Sequence, residues 1–510
     1  MTVCSFSLRR ASAAITLALA CSACTVLGPN YQRPSSEIAS DWRSDNLPDA
    51  SAVTSSQAKW QWWEQLNDPT LNALIADVLH NNRNLKIAAL RVMESRAQLG
   101  VVDSTLYPQV QQLSGSVLNT ERRQSGGYSA NQWMYSAGLN IGWELDFWGR
   151  FRRSIEAADA AYLASIAKYD DVYLLLAAQT ASLYAGIRTL ESRLQFAHSN
   201  MAIQQRSLEI TQRLYASGND SELDVQQAKT QYLATASTIP ALEASLRQTQ
   251  NALAALLGRP PGPILEMASA TGQIPAADLM LIADLPADLL RRRPDVRAAE
   301  MQLKAQSALI GVAEADFYPS ITLLGSLGVS ATSIAASPTT LDLGIGPSLK
   351  WNIFDYGRLK NNVRIQDARY QQLYLVYQDS VLQAAREVDD AAVAYAKTLE
   401  QVALLEQGEQ AAQRSLEIAN IQYREGMAGF ERVLDAQRAL FSQQERVVSN
   451  RGNLINSLIA LYKAMGGGWD VQRQHRLLDE ETLNSMKQRT DWGGLLDAPL
   501  ISDKSNTSTP

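Results

Sequence analysis

The residues best able to do chemistry in this sequence are its three thiols, and all of them lie near the N-terminus. They are Cys4, Cys21 and Cys24, and the rest of the 510 residues contain no cysteine. A disulfide, an iron–sulfur cluster, a thiolate zinc site and a cysteine nucleophile are therefore excluded from the body of the chain. Its three histidines are scattered, and common short enzyme motifs are absent, so we predict neither an enzyme nor a metal site.

Cys24 ends a segment with the layout of a secretory signal. Arg9 and Arg10 precede an apolar stretch over 11–20, which is too short to span a bilayer as a helix. Small residues then lead to Cys24, which resembles the signal of a bacterial lipoprotein, where the cysteine becomes the first mature residue and is acylated. We therefore predict a diacylglycerol thioether and an N-palmitoyl group on Cys24, and no other cofactor. Cys21 is a competing site, and a plain secretory signal with incidental cysteines is a further alternative.

The charge and the composition limit the possible partners. The chain has 46 Lys+Arg against 52 Asp+Glu, a net charge of −6, whereas nucleic-acid binding needs a basic surface that displaces counterions. Hydrophobic residues make up 46% of the chain and charged residues 19%, so it can bury a core. No segment after the signal is apolar over the roughly 18 residues of a membrane-spanning helix. We therefore expect neither a nucleic-acid partner nor a transmembrane helix.

The body of the chain contains two copies of one unit. The segment Arg206–Ile210 recurs identically as Arg414–Ile418, and ordered matches at the same offset of 208 residues extend on both sides. Further upstream the offset becomes 211, where Tyr107-Pro108 matches Tyr318-Pro319. Chance can produce one such pair but not an ordered series, so we infer a tandem duplication.

Two stretches of alternating residues predict strands with one apolar face. Over 133–143 the odd positions are Trp, Tyr, Ala, Leu, Ile and Trp, while the even positions are mostly glycine or polar. The copy over 341–351 alternates in the same way, although Pro347 counts against a strand. Partner strands are predicted over about 109–118 and 320–330. Such strands are long enough to cross a bilayer when tilted, with the polar face toward a water-filled lumen. An edge of a soluble β-sandwich is the alternative.

After each pair of strands the apolar period becomes helical. In the first copy a seam of apolar residues steps by four and three from Leu183 to Met201, which is typical of left-handed coiled-coil packing. We predict long helices over about 150–217 and 221–257 in the first copy, and over 357–426 and 430–465 in the second. Each unit is then a short β-hairpin joined to a very long helical hairpin.

Four strands cannot close a barrel, and open strand edges are not tolerated in lipid. Several chains must therefore share one barrel, and channels need more than about eight strands. The predicted fold is an α+β membrane protein. Three chains, with four barrel strands each, would form a 12-stranded β-barrel that continues into a 12-helix α-barrel.

Six motifs carry a resemblance to a known family. They are Gly28-Pro-Asn-Tyr-Gln-Arg-Pro34, Trp62-Trp-x-x-Leu-x-Asp-Pro69, Trp143-Glu-Leu-Asp-Phe-Trp-Gly-Arg150, Leu285-Pro-Ala-Asp-Leu-Leu-Arg-Arg-Arg-Pro-Asp-Val-Arg297, Trp351-x-x-Phe-Asp-x-Gly-Arg358 and Leu461-Tyr-Lys-Ala-Met-Gly-Gly-Gly-Trp469. With them the sequence resembles the outer membrane factors of tripartite efflux systems. It is similar to TolC and closer to the OprM-like lipoproteins of the NodT family.

The resemblance implies a passive conduit in the outer membrane of a Gram-negative bacterium, lipid-anchored and extending into the periplasm. It would be a homotrimer that exports drugs or toxic compounds delivered by an inner-membrane pump and a periplasmic adaptor, and it would confer resistance. Thr25, rather than Asp, follows the predicted lipid site, which also favours the outer membrane. The exported compound and the class of pump are not encoded in this chain.

The resemblance also implies a gate at the periplasmic turns of the helical hairpins. Its residues would be Tyr215 and Asp224 on the first hairpin, with Tyr423, Arg424 and Asp435 on the second. Hydrogen bonds and ion pairs among them would hold a closed aperture, and repeated carboxylates would attract cations. The alternative is that the tyrosines complete the heptad seam and that the carboxylates are solvated capping residues.

The sequence thus divides into six segments. They are a lipoprotein signal peptide (1–23), an N-terminal anchor and linker (24–60), a first repeat (61–260), an inter-repeat linker (261–284), a second repeat (285–466) and a C-terminal tail (467–510). A periplasmic coiled-coil adaptor lipoprotein is the alternative function. An adaptor has one helical hairpin per chain, whereas two hairpins and paired membrane-length strands are predicted here.

Overall fold

A computed structural model describes most of the two repeats and short parts of the remaining segments. The described residues are 26–35, 61–124, 128–267, 273–275, 293–333, 340–467 and 477–497. The predicted signal peptide, Cys24 and the end of the tail lie outside them, as do most residues of the two linkers. None of the helices in these ranges combines the length and the apolar composition needed to span a bilayer.

The strands form one antiparallel sheet in the order β1-β2-β3-β4. They are β1 (Val110–Gln124), β2 (Tyr128–Glu144), β3 (Ser320–Ala331) and β4 (Thr340–Lys350). The first hairpin is longer than the strands expected over 109–118 and 133–143. Its additional residues, such as Glu121 and Gln132, are polar, so no apolar alternation marked them as strand.

The register gives the four strands a common apolar face. Leu139 of β2 lies opposite Leu113 of β1 and Leu327 of β3, and Leu327 lies opposite Leu343 of β4. Because side chains alternate along a strand, the odd-numbered positions of all four strands share this face. The even positions are rich in glycine, serine, threonine and asparagine, which suits a wall that faces water.

Pro347 lies within β4, opposite Leu323 of β3. In one chain β4 is an edge strand of the sheet. Proline has no backbone N–H, so position 347 donates no hydrogen bond to the sheet, whether β4 is an edge strand or pairs with a neighbouring copy.

Two of the described helices are much longer than the others. In chain order they are α1 (Pro69–Asn81), α2 (Arg83–Asp103), α3 (Arg150–Ala216), α4 (Glu222–Leu256), α5 (Pro294–Ala315), α6 (Arg358–Arg424), α7 (Phe430–Ala464) and α8 (Glu480–Arg489). Both α3 and α6 have 67 residues, or about 100 Å at 1.5 Å per residue. The four long helices end within two residues of the predicted bounds.

Each repeat also contains a shorter helix that the sequence analysis did not separate. The helix α2 packs on α3, and α5 packs on α3 and α6. Their starts carry local signals. Asn82 caps α2 by accepting hydrogen bonds from the backbone of Asn84 and Leu85, and Pro294 is the first residue of α5.

A side chain at the start of each shorter helix bonds to the end of a long helix, at equivalent places in the two repeats. Asn82, before α2, donates from Nδ2 to the carbonyl oxygen of Leu256 at the end of α4, at 2.8 Å. Arg293, before α5, donates from Nη1 to the carbonyl oxygen of Ala464 at the end of α7, also at 2.8 Å. Each residue thereby satisfies a carbonyl that the helix end leaves without a partner. We call each of these contacts between the start of a shorter helix and the end of a long helix a joint. The joint of the first repeat uses the neutral amide of Asn82, and the joint of the second repeat uses the guanidinium of Arg293.

The Arg293 joint is an ionic cluster that connects four helices. Arg293 is buried and pairs with Asp295 of α5 and Glu387 of α6, each at 2.8 Å. Asp171 of α3 faces the same group, together with Lys463 of α7. Burial, and after it the charge of Asp295, raises the pKa of Asp171 to about 6.

This shift predicts that Asp171→Asn stabilises the protein at high pH only. The folded protein holds the Asp171 proton more tightly than the unfolded chain, in which the pKa is about 3.9. The bound proton on Asp171 therefore adds its full contribution to the free energy of unfolding below about pH 4, and this contribution is lost as the pH rises through about 6. We expect a gain on the order of 1 kcal/mol at pH 8, since Asp171 is only partly buried and solvent screens its charge, and no gain at pH 4. Unfolding midpoints at both pH values measure this, and equal gains would contradict it.

The main core surrounds the joint of the first repeat. Trp62 is fully buried, and its ring stacks on that of Tyr462, with centroids 5.3 Å apart. Leu483 and Met486 of α8 belong to the same core. The predicted tail at 467–510 therefore includes a packed helix. Asp479 caps this helix and pairs with Lys86 of α2 at 2.6 Å.

Candidate functional sites at the two ends of the helical hairpins

One candidate site is a strap, residues 26–35, which directly follows the predicted lipid attachment site. The backbone N–H of Leu27 donates to the carbonyl oxygen of Trp148 at 3.1 Å. Arg153 of α3 donates to the carbonyl oxygens of Leu27 and Gly28, at 2.9 and 3.1 Å, and to Oδ1 of Asn30 at 2.8 Å. The strap therefore lies against the beginning of α3, where the barrel strands end.

The strap also contacts α5 of the second repeat. Gly28 has a φ of +85° and lies so close to Gly311 that a Cβ on Gly28 would collide with the Gly311 backbone. Arg33 donates twice to the buried carboxylate of Glu300, at 2.7 and 2.9 Å, and the Tyr31 hydroxyl donates to it at 3.4 Å. Four residues of the Gly28–Pro34 motif, namely Gly28, Asn30, Tyr31 and Arg33, thus connect the strap to both repeats.

The second candidate site is the pair of turns at the far end of the helical hairpins. Both turns close in the same way. The N–H groups of Gly218 and Asn219 bond the carbonyls of Tyr215 and Leu214, and the second turn repeats this arrangement after Tyr423. Gly218 and Gly426 have φ values of +76° and +69°, as this helix termination requires.

A tyrosine of the second turn bonds to a carboxylate of the first. The Tyr423 hydroxyl donates to Oδ2 of Asp220 at 3.4 Å, and the Tyr423 ring lies on Phe430, with centroids 5.3 Å apart. Burial, and after it the negative charge of Asp220, raises the pKa of Tyr423. Tyr423 therefore joins the two hairpins of one chain at their tips.

The other predicted gate residues make local contacts. Ser221 caps the start of α4 by accepting a hydrogen bond from the backbone N–H of Asp224 at 3.2 Å. The Asp224 carboxylate in turn accepts the Ser221 hydroxyl at 2.6 Å, and this hydrogen bond lowers the pKa of Asp224. Asp435 pairs with Arg438, one turn further along α7, at 3.5 Å. Arg424 donates to the carbonyl oxygen of Asn420 in its own helix, and the exposed Tyr215 hydroxyl has no hydrogen bond within the described residues.

Within one chain the structure therefore brings one of the five predicted gate residues, Tyr423, into contact with the other hairpin. Its partner Asp220 was missed, although it lies in the turn that the sequence had singled out between Tyr215 and Asp224. Further along, Arg438 donates to Oε1 of Gln231 at 2.8 Å, a second bond between hairpins. No local signal in the sequence pairs residues so far apart.

The comparisons with known proteins identify the family. The sequence profile of a family described as outer membrane efflux protein matches residues 74–259 and, a second time, residues 285–467. The chain belongs to this family. The chain is 32% identical to the probable outer membrane lipoprotein SilC of Salmonella typhimurium, with 88% of this chain and 96% of SilC aligned.

Other relatives align over similar lengths. Identity is 30% to the cation efflux system protein CusC of Escherichia coli, over 89% of this chain and 98% of CusC. It is 33% to the toluene efflux pump outer membrane protein TtgF of Pseudomonas putida, over 89% and 96%. The solved structure of the outer-membrane channel OprN superposes with a TM-score of 0.80, at 33% identity, over 87% of this chain and 99% of OprN.

The protein is thus the outer membrane channel component of an efflux system, and its place is the outer membrane. The fold predicted from the duplicated hairpin pattern and the predicted function are confirmed. Family membership rules out the periplasmic adaptor that the sequence had left as an alternative.

Proposed function

We propose that this protein forms a homotrimeric conduit. It would accept compounds from an inner-membrane pump through a periplasmic adaptor and release them outside the cell. The observation that carries the proposal is the sheet itself. It has one apolar face, and in the part of the chain that the structure describes each outer strand pairs on one side only, β1 with β2 and β4 with β3.

Two free edges are costly in a bilayer, because each unpaired backbone N–H or C=O costs several kcal/mol there. In the order β1-β2-β3-β4 all neighbours are antiparallel, so β4 of one copy can join β1 of the next with the same geometry. Three copies give twelve strands, which is enough for a water-filled lumen. Phe354 and Tyr356, which follow β4, are 89% and 104% exposed in one chain and would lie against the neighbouring copy.

The test is to isolate the protein from cell envelopes and to reconstitute it in planar bilayers. We expect trimers in the outer-membrane fraction that dissociate on heating, and ion conductance from the purified trimer. Recovery solely as a soluble or inner-membrane monomer would contradict the proposal.

We further propose that Cys24 carries the lipid anchor. The strap supports this assignment because Val26 lies against Gly149, at the boundary between the strands and α3. Two residues of chain span at most about 7 Å, so a lipid on Cys24 would be attached at the level where the barrel meets the periplasm. Labelling with a palmitate analogue should be lost in Cys24→Ala and retained in Cys21→Ala. The reverse pattern would move the anchor to Cys21.

We also propose that the hairpin tips form the gate. The Tyr423–Asp220 bond would hold each chain closed. Four residues would act between neighbouring copies, because among the described residues their side chains form no hydrogen bond or ion pair with the other hairpin of the same chain. They are Asp224, Arg424, Asp435 and Tyr215.

This gate predicts a difference between two equivalent tyrosines. Tyr423→Phe removes the bond to Asp220, which is worth about 1 kcal/mol per chain and about 3 kcal/mol per trimer. We therefore expect a conductance several-fold above that of the unmodified protein. The matched control is Tyr215→Phe, at the equivalent place in the first repeat, where the hydroxyl is exposed and forms no hydrogen bond to any residue that the structure describes. Equal conductance in the two variants would contradict the role of Tyr423.

A further inference from the structure

A cleft of about 450 Å³ lies on the even, water-facing side of the sheet, where the strands meet the long helices. Its walls carry charged side chains from both repeats. Glu144, Arg150 and Asp146, which pairs with Arg152 at 3.1 Å, come from the first repeat. Asp316 follows α5, and Lys350 and Arg358 come from the second repeat. Charges on a lumen wall act directly on the solutes that pass it.

The two repeats differ in how they balance these charges. Arg150 pairs with Glu144 at 3.2 Å and approaches Asp316 at 3.9 Å. Arg358 is the equivalent of Arg150, but the residue equivalent to Glu144 is Asn352. Among the described residues, neither Arg358 nor Lys350 forms an ion pair with a carboxylate.

The nearest acidic residue in sequence does not supply the missing partner. Asp355 accepts hydrogen bonds from the backbone N–H groups of Gly357 and Leu359, at 3.0 and 2.7 Å, and is thereby committed to the start of α6. The Leu359 bond, then the Gly357 bond, lowers the pKa of Asp355, and the charge of Arg358 contributes less, although the two side chains form no ion pair. The Lys350 position corresponds to Gly142 in the first repeat, so the second repeat also has an additional cation.

Assembly into a ring of three copies, which rests on the proposed trimer, would not bring a carboxylate to these cations either. Arg150 meets Asp316 because α3 lies beside the second repeat. By the repeat symmetry, Arg358 would meet the residue of the next copy that corresponds to Asp316. At the offset of 211 residues this is Thr105, which is uncharged.

We infer that Lys350 and Arg358 form an anion-binding site, repeated three times around the lumen, for the carboxylate or phosphate groups of passing solutes. The guanidinium plane can hold such an oxyanion by two parallel hydrogen bonds, and the ammonium group adds a point charge. Asn352 and Ser348, which line the same cleft, offer further hydrogen-bond donors. A ring of cations also favours the passage of anions.

The test is the ion selectivity of trimers in phosphatidylcholine bilayers, which contain no anionic lipid headgroup. Lys350→Gln/Arg358→Gln should lower the chloride-to-potassium permeability ratio by about two-fold or more at roughly 0.1 M KCl. The difference in permeability ratio between the double variant and the unmodified protein should vanish near 1 M KCl, because the Debye length there is only about 3 Å and salt screens the two cations from passing ions. Millimolar inorganic pyrophosphate should reduce the conductance of the unmodified protein but not that of the double variant. The matched control, Glu144→Gln/Arg150→Gln, removes one charge of each sign and should leave selectivity unchanged.

A second variant covers the case in which the double variant does not assemble. Asn352→Glu gives the second repeat the carboxylate of the first, and it should shift selectivity toward cations in the same way. Unchanged selectivity in variants that conduct would overturn the anion site and leave the channel standing. Absence of conductance in the unmodified protein would instead overturn the proposed channel, and the site with it.

Discussion

Leu139→Arg should prevent the protein from entering the outer membrane, whereas Asn140→Arg should be tolerated. The two residues are neighbours in β2 but belong to opposite faces. Leu139 lies opposite Leu113 and Leu327 on the apolar face, while Asn140 lies opposite Gln112 and Ser326 on the other. Leu139 is also near the middle of the apolar band between Trp133 and Trp143, where contact with lipid would be complete.

The size of the effect follows from the cost of a cation in lipid. An arginine at the midplane of a β-barrel costs about 2–4 kcal/mol per chain, and therefore about 6–12 kcal/mol for a trimer. This is comparable with the whole stability of a typical domain. Asn140→Arg would place its charge in a water-filled lumen, where the cost is small.

Membrane fractionation, followed by electrophoresis of unheated samples, measures both variants. We expect heat-sensitive trimers of Asn140→Arg at the level of the unmodified protein, and none of Leu139→Arg. Trimers of both variants in equal amounts would show that the odd face does not meet lipid. Loss of Asn140→Arg alone would invert the assignment of the two faces.

The sequence predicted the strand faces because alternation is a local property. Each apolar residue from Trp133 to Trp143 faces the same side whatever its partner strand is. The long helices were predictable for a related reason, since a seam sustained over many turns fixes both the helix and its packed face. The residues of β1 and β2 near their connecting turn do not alternate in this way, so the predicted strands were shorter than the observed ones.

Contacts between the repeats could not be read from the sequence. Asp220 and Tyr423 are separated by 203 residues, and nothing near either residue in the chain indicates the other. The same holds for Arg293 and Ala464. Such pairs depend on how far one helical hairpin is shifted along the axis of the other. This shift is determined by the whole interface between them rather than by the apolar repeat of one helix.

Arg293→Ala should destabilise the protein more than Asn82→Ala, although the two residues bond equivalent helix ends. Asn82 is neutral, so its loss leaves the Leu256 carbonyl without one hydrogen bond and removes the cap of α2, at about 1 kcal/mol each. Arg293 is only 7% exposed and also neutralises Asp295 and Glu387. Its removal leaves these carboxylates, whose side chains are 39% and 42% exposed, without a counter-charge. This costs about 1.5–3 kcal/mol in addition to the lost hydrogen bond to Ala464, because solvent screens the two charges only in part.

Arg293→Lys separates charge from geometry at this joint. A single ammonium group cannot reach the Ala464 carbonyl, Asp295 and Glu387 in the directions that the guanidinium fork spans. We therefore expect an intermediate loss, about half that of Arg293→Ala.

Denaturant unfolding of purified trimers at pH 8 measures all three variants. If Arg293→Ala unfolds at the same midpoint as Asn82→Ala, the carboxylates are already solvated and the ionic cluster does not hold the joint. A loss confined to Arg293→Ala would show that the joint needs only a positive charge, whereas equal losses for Arg293→Ala and Arg293→Lys would assign the stability to the guanidinium fork.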